Sequence, residues 1–568
     1  MLTNPLPRFV QEFSSQLLHK LPYQPWLKRL IVISLVLGIG FRFYHLGHKV
    51  YWYDEVQTSL RISGYTRTEF IQKIYNSPPI SVEALLKTYQ YPTAEKRLKD
   101  SFHALAQHPE HSPLYYWLSR FWLQLVPDSI ASIRLLSALI SLLVFPALYW
   151  LCWELFQSAT VGIVAIALVA IAPFHVLYAQ EAREYSLWTV AILISTAALL
   201  KALSFSRLAN QETGFKVRDT SGAAVFSGKP WIIYGLTVAL NLYTHPLSSL
   251  VLMSHGIYTV LVPKPRKTQV IVAYLKANLL GLLLFLPWLI IVISNFDNFL
   301  ENTESKTVSR PGLPLIWGLN LSRIFFDVNQ GTSLLNPTLY FALFLTGYAL
   351  YVLIRHTPIQ TWLLIIILIG VPAMALMLPD IFWGGQRSAI ARYGIPCYLG
   401  IQVAVAYLFT VKITEGIPGE ISRKISRKIP GKAAQIQWKW IFIMLCLGGI
   451  ISCLVSSQHQ VWWHKSYAKS RYNPAVARVI NQSNFPLIIS DEEPGRILSL
   501  SHLLKPKAHL KFILEPNIPQ LPAPNEFSDI FLYRPSEGLR QGLAQTYPIR
   551  LEQAYEKGWI WRVIPGNE

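Results

Sequence analysis

Long apolar runs decide what this chain can fold into. Stretches such as SALISLLVFPALYWL (137–151) and GLLLFLPWLIIVI (281–293) recur along most of its length with few charges inside them. A helix needs roughly 20 mostly apolar residues to cross a bilayer. Spans are predicted at roughly 28–45, 130–156, 159–177, 184–205, 230–245, 247–263, 271–294, 336–354, 359–378, 393–412 and 438–456, about eleven in all. The expected fold class is a mainly α, polytopic membrane protein. The first run lacks a small-residue cleavage site, so it is expected to stay as a transmembrane helix rather than leave as a signal peptide.

Composition agrees. Of 568 residues, 52% are hydrophobic and only 14% charged, where a soluble domain carries about a quarter. Eighteen Trp and 28 Tyr suit the membrane–water boundary. A net charge of +20 would suggest nucleic acid in a soluble protein. No zinc-finger, homeodomain or RNA-binding signature is present, so no nucleic-acid partner is expected. The four cysteines, Cys152, Cys397, Cys446 and Cys453, lie in apolar segments without zinc-site spacing.

The positive charge instead orients the chain. If the N-terminus (1–27, with Arg8, Lys20, Lys28 and Arg29) is cytoplasmic, the other basic connections fall on the same side. These carry Arg207, Lys216, Arg218 and Lys229; Lys264, Arg266 and Lys267; Arg355 and His356; and Lys412, Arg423, Lys424, Arg427, Lys428 and Lys432. This is what the positive-inside rule requires of a plasma (inner) membrane protein. The condition is that HSPLYYWLSRFWLQLV (111–126) lies along the outer leaflet, because counting it as a span would invert every later loop. The loop 46–129, the loops 295–335 and 379–392, and the tail from 456 are then extracytoplasmic. Residues 28–455 read as the membrane domain, and 413–437 as a basic linker inside it. The tail 456–568 has a balanced soluble composition. PLIIS (486–490), DIFLYR (529–534) and GWIWRVI (558–564) read as strands, and 473–482 and 536–545 as helices. That alternation predicts a small α/β domain.

Four outer segments could carry chemistry. In YWYDEVQTSLR (51–61), Asp54 and Glu55 are adjacent, so on a helix they point about 100° apart. They cannot serve as a matched pair; one can be a base while the other holds a helix end or a partner. The simpler alternative is an acidic pair capping a helix. In YAQEAREYSL (178–187), Tyr178, Glu181, Arg183, Glu184 and Tyr185 sit at a short turn where charge is costly and usually paired or functional. The alternative is an interfacial ion pair reaching the headgroups. In NLYTHPLSSL, His245 is either a turn residue or a substrate contact. In GGQRSAIARYGIP, Arg387 and Arg392 precede Tyr393, and arginine forks suit phosphate or lipid headgroups. His111, Ser112, Pro113, Arg323 and Asp327 lie in outer loops without a role readable from spacing. A transporter would place its polar residues in mid-span, often on broken helices. Charge-poor spans with polar outer turns favour surface chemistry on a lipid-borne substrate.

At these residues the sequence resembles the GT-C membrane glycosyltransferases. It resembles most the branch like glycosyltransferase family 39, which holds the protein O-mannosyltransferases, aminoarabinose transferases and Rgt-type bacterial sugar transferases. The resemblance runs from the Asp54–Glu55 pair through HSPLYYWL and IRLLSALISLLVFPALYWL to PFHVLYAQEAREYSLWTV, covering residues 28–300 well and the later spans loosely. It departs at Ser112-Pro113, where relatives often have two prolines, and at Glu184, where they often have Met. The resemblance implies a GT-C fold of about eleven transmembrane helices and a polyprenyl-phosphate sugar donor. It implies an extracytoplasmic glycan, lipid or protein acceptor, with membrane lipids as partners. The transfer of a hexosyl or pentosyl unit would use Asp54 as base with Glu55 close by. Arg183, Arg387 and Arg392 would hold the donor phosphate. His111, Tyr178, Glu181, Tyr185, His245 and Tyr393 are the further candidates for substrate contact. No metal-ligand set or obligatory cofactor is evident, although some members of the class bind a divalent metal. A saccharide flippase and a polysaccharide ligase or polymerase are the rival expectations.

Overall fold

The computed structural model describes residues 24–212, 228–262, 267–303, 312–413, 432–465, 470–523, 526–555 and 558–566. Expectations for Arg8, Lys20, Lys216, Arg218, Lys264, Arg266, Arg423, Lys424, Arg427 and Lys428 fall outside these residues.

Among the described residues, seven helices are long and apolar enough to cross a membrane: Ile130–Phe156, Tyr185–Ser206, Thr268–Ser294, Pro337–His356, Ile359–Phe382, Ala391–Ile413 and Ala433–Gln458. An eighth span is broken: Ala159–Ala170 and Pro173–Ala179 meet at 64°. The three other predicted spans form the helices Pro25–Phe43, Lys229–Thr244 and Ser248–Leu261. The first carries Lys28, Arg29 and Arg42, and the other two have 16 and 14 residues. Leu114–Leu123, inside the segment expected to lie on the leaflet, has 10 residues. At 1.5 Å per residue it is about 15 Å long, too short to cross.

Burial sorts the helices into a centre and a rim. Every residue of Ala159–Ala170 is buried, as expected of a helix apolar on all sides. Thr268–Ser294 lies at the rim, with Leu283 at 57% and Ile293 at 65% exposure. With Phe344 at 71% and Met444 at 63%, the bundle shows an apolar belt far larger than water tolerates. The chain is an integral membrane protein.

The break after Ala170 has a cause. Pro173 lacks an N–H and cannot continue the preceding helix. The carbonyls of Val169 and Ala170 accept from the buried Arg42 guanidinium instead. Inside the bundle, the Ala170 carbonyl without such a donor would cost several kcal/mol. Gly38 allows the approach, since a Cβ there would lie 2.3 Å from the Ala170 oxygen.

The two ends of the bundle differ. At one end Lys412 lies over Trp438 and Lys439 over Trp26, and Gln24 donates to Ile413 O at 3.3 Å. At the other end Gln180 donates to Phe41 O and Tyr44 O, and the outer segments gather. A six-stranded sheet caps that end, in the order β1-β3-β2-β4-β6-β5. Its strands are β1 Ile80–Ser81, β2 Pro486–Ser490, β3 His509–Phe512, β4 Asp529–Tyr533, β5 Ile549–Tyr555 and β6 Ile560–Pro565. β2, β3 and β4 are mutually parallel; β1, from the first outer loop, pairs antiparallel with β3. Alternate residues of β2 serve different cores. Leu487 and Ile489 pack with Leu539 and Leu543 of the helix Glu537–Thr546. Ile488 packs with Val56 and Leu60 of the first outer loop. The sheet is thus seated directly on the helix that bears Asp54.

Candidate active site

That helix, Tyr53–Ile62, starts with its two acids in the first turn, where they favour the positive end of the helix dipole. The 100° between them sends them to different places. Glu55 is fully buried. Its carboxylate takes a two-pronged bond from Arg134, Nε to Oε1 at 2.8 Å and Nη2 to Oε2 at 2.7 Å. It also accepts from Ala182 N at 2.8 Å. Arg134 uses its remaining donors on Leu46 O, Lys49 O and Val50 O. Glu55 therefore fastens the helix to two other outer segments. It was expected beside the base as a catalytic residue, but every lone pair it shows is committed to structure.

Asp54 faces a cavity of about 510 Å³. The cavity is lined by residues from several connecting segments, among them His111, Arg183, Tyr185, His245, Arg387, Arg392 and Tyr393. Asp54 Oδ2 accepts from Arg392 Nη2 at 3.1 Å. Arg392 is itself surrounded by the rings of Trp52, Tyr185 and Tyr393 at 5.5–5.6 Å. Arg183 Nη1 reaches Thr58 Oγ1 at 3.0 Å, Tyr116 OH at 3.2 Å and Asp54 O at 3.4 Å, and Nη2 reaches Glu184 Oε1 at 3.0 Å. Among the described residues, the Nε atoms of both arginines are buried without hydrogen-bond partners. Arg387 is exposed at the rim and donates to Thr303 O at 2.7 Å.

The two histidines of the cavity have separate tasks. Burial, then the nearby Arg61 and Arg183, hold His111 well below the usual imidazole range, so it is neutral near pH 7. His245 stacks on Trp188 with ring centroids 4.1 Å apart. Its Nδ1 accepts from Leu247 N at 3.1 Å, which leaves Nε2 to carry the proton.

Two candidates do not line the cavity. Tyr178 packs among Phe174, Tyr185 and His464. Glu181 forms a buried cluster with His464 at 2.5 Å and Lys465 at 2.6 Å. Burial and the adjacent Lys465 push His464 down to about 4, so Lys465 supplies the positive charge. Lys465 in turn lies 4.1 Å over the Trp52 ring. Arg323 and Asp327 also anchor this segment: Arg323 stacks on Trp463, and Asp327 accepts from Trp462 and Trp463 at 2.7 and 2.6 Å. Ser112 donates to Leu242 O at 2.8 Å.

The C-terminal layer also holds the Asp54 helix. Ser499 donates to Tyr51 O at 2.7 Å, and Tyr53 N donates to Ser470 Oγ at 3.1 Å. Gly495 lies against the helix so closely that a Cβ would come within 2.6 Å of Gln57 Nε2 and 2.7 Å of the Tyr53 ring. Gly495→Val is expected to lower stability by about 1–3 kcal/mol through overpacking. Thermal unfolding of the purified protein measures it; a transition equal to wild type would mean that the contact yields freely.

Sequence reasoning did not single out Gln57, Arg61, Glu110, Phe299 and Asn302, which also line the cavity. The first two carried a usable signal, since 54, 57 and 61 fall on one helical face. Phe299 and Asn302 come from the helix Phe296–Thr303 in a late outer loop, and no local pattern marks them. Among the described residues, no group of three or more His, Cys, Asp or Glu side chains gathers closely enough to hold a metal ion.

Residues 108–211 match the family described as dolichyl-phosphate-mannose-protein mannosyltransferase. No curated protein sequence matches the chain. Among solved structures, ArnT from Cupriavidus metallidurans in the apo state superposes with a TM-score of 0.51 at 13% identity, covering 96% of this chain and 99% of that one. The same protein bound to undecaprenyl phosphate gives 0.50 at the same identity and coverage. The chain has the GT-C fold. The apo oligosaccharyltransferase of Archaeoglobus fulgidus is a weaker likeness, with a TM-score of 0.48 at 13% identity over 87% of this chain and 65% of that chain. In this GT-C bundle the matched family segment runs from His108 to the start of the connection after Tyr185–Ser206. It therefore contains His111, Arg134 and Arg183, but not Asp54 or Arg392.

Proposed function

We propose that the protein transfers a sugar from a polyprenyl-phosphate donor to a hydroxyl of an extracytoplasmic acceptor. The observation that carries this is Asp54, whose carboxylate meets Arg392 at 3.1 Å and whose backbone meets Arg183 at the same open cavity. A carboxylate and guanidinium groups at one reaction-sized space suit a displacement at an anomeric carbon. The acceptor oxygen forms its bond to that carbon from the face opposite the phosphate. The carbon–oxygen bond to phosphate breaks, and the electron pair leaves with the polyprenyl phosphate. The hydroxyl proton passes to Asp54. A single displacement of this kind inverts the anomeric centre.

Asp54 acts as general base, and the Arg392 contact keeps it ionised until the proton arrives. Arg183 and Arg392, which line the cavity, present their charge to the departing phosphate, a kind of electrostatic support typically worth about 3–4 kcal/mol per donor. Arg387 at the rim meets the anion on entry. His245, Tyr185, Tyr393 and His111 contact sugar hydroxyls. Three features support the donor class: the shared fold with a protein solved with undecaprenyl phosphate, the matched family segment, and a cavity that opens at one end of an apolar bundle. Lys412 and Lys439 gather at the opposite end with the N-terminal end of the first helix. The positive-inside rule makes that end cytoplasmic and places the cavity and the sheet outside the plasma membrane.

The test is mass spectrometry of envelope glycans, lipids and proteins before and after deletion of the gene. Loss of a single sugar, restored by the wild-type chain, is the expected result. Loss of a whole oligosaccharide, or movement of an unchanged lipid-linked saccharide, would overturn the reading in favour of a ligase or a flippase.

A further inference from the structure

One cation in the cavity has no assigned work. Arg61 is only 7% exposed, yet among the described residues its side chain makes no hydrogen bond or ion pair, and its Nε is buried and unpartnered. The other arginines lining the cavity are engaged. Arg183 is held by Glu184, Thr58 and Tyr116, Arg392 by Asp54, and Arg387 by Thr303 O. Only its Nε is buried, so the rest of the guanidinium is open to the cavity that Arg61 lines.

Arg61 stands in the last turn of its helix, where a cation favours the dipole. That does not account for it. The carbonyls there already have donors: Arg120 bonds Ile62 O, Ser101 bonds Arg61 O at 2.8 Å, and Ser63 bonds Ser59 O at 2.7 Å. Nor is Glu110 its partner. Glu110 lines the same cavity but forms no ion pair with Arg61 among the described residues; it bonds His108 at 3.2 Å and Asn302 at 3.3 Å and lies 3.6 Å from His111.

Seven residues separate Arg61 from Asp54 on one helical face, about 10 Å along the axis. The Asp54 end already has Arg183 and Arg392 for the leaving phosphate. We infer that Arg61 anchors a second anion, a phosphate or carboxylate carried by the acceptor about 10 Å from its reactive hydroxyl. The inference rests on the transferase reading for the word acceptor, but the anion site itself does not. The acceptor class is thus an acidic one, such as a phosphorylated or uronic-acid-bearing glycan or lipid.

The experiment uses the full chain in nanodiscs of zwitterionic lipid, with thermal unfolding as readout. It is titrated with inorganic phosphate, with and without undecaprenyl phosphate in the disc. In wild type, phosphate is expected to raise the unfolding temperature in both cases. In Arg61→Gln, the unliganded protein is expected to unfold at about the wild-type temperature. The same variant should lose at least ten-fold in apparent phosphate affinity while keeping its response to undecaprenyl phosphate. Arg61→Lys should keep part of the phosphate response and decides the matter if the Gln variant does not fold. An unchanged phosphate response in these variants, no response in wild type, or loss of the undecaprenyl phosphate response with Arg61 would each overturn the inference. A wild-type protein that answers phosphate but not undecaprenyl phosphate would sink the donor assignment and leave the Arg61 site standing.

Discussion

Asp54→Asn is expected to lower sugar transfer by about 10²- to 10⁴-fold, the usual range for loss of a general base, with little change in thermal stability. The swap keeps the shape of the side chain and an oxygen that can still accept from Arg392, now 3.1 Å from the carboxylate. What is lost is the negative charge that takes the hydroxyl proton. The measurement is turnover of a polyprenyl-phosphate sugar by the purified variant, alongside its unfolding transition. Turnover within a few-fold of wild type in a folded Asp54→Asn protein would remove Asp54 from the mechanism.

The neighbouring substitution is expected to do the reverse. Glu55→Gln leaves the Arg134 guanidinium buried with its partner neutralised. Breaking a buried pair from one side typically costs about 3–5 kcal/mol. Here the loss is compounded, because the same carboxylate caps Ala182 N beside Arg183. A low yield of folded protein and an early unfolding transition are expected. The molecules that do fold should retain far more activity than Asp54→Asn does. Equal stability of Glu55→Gln and wild type would show that the Arg134 network is not what holds the turn. The pair of variants separates a chemical role from a structural one at adjacent positions.

The membrane fold was legible because its signal is compositional. Each predicted span falls on helical structure, with 159–177 split into a bent pair, and the one apolar segment set aside, 111–126, yields a helix of only 10 residues. The strands at 486–490, 529–533 and 560–565 were readable from β-branched and aromatic runs. His509–Phe512 and Ile549–Tyr555 were not, since Lys511, Arg550 and Glu552 interrupt their apolar character at the exposed side of the sheet. At the site, the spacing of Asp54 and Glu55 already implied divergent tasks, but not which acid would turn inward. That depended on Arg134, which sits 79 residues away in what reads as a plain apolar span. Glu181 looked like a site residue because its partners, His464 and Lys465, lie 283 and 284 residues further on. Arg61 shares a helical face with Asp54, which the sequence shows, but its want of a hydrogen-bond or ion-pair partner among the described residues is a property of three dimensions.

The strand Ile80–Ser81 has a consequence for how the protein is made. Its partners are Leu510 and His509, so the edge of the sheet leaves the ribosome some 430 residues before the strand that completes it. At about 5–20 residues per second, that interval lasts roughly 20–90 s. During it the loop that carries Ile80 and Ser81 must wait with its apolar face uncovered, while the remaining spans are made one after another. The outer layer is therefore closed by the last part of the chain to arrive, and that closure seats Ser470, Gly495 and Ser499 on the Asp54 helix. A polypeptide truncated before residue 509 would be inserted in the bilayer but unfinished, with the apolar face of that loop left exposed.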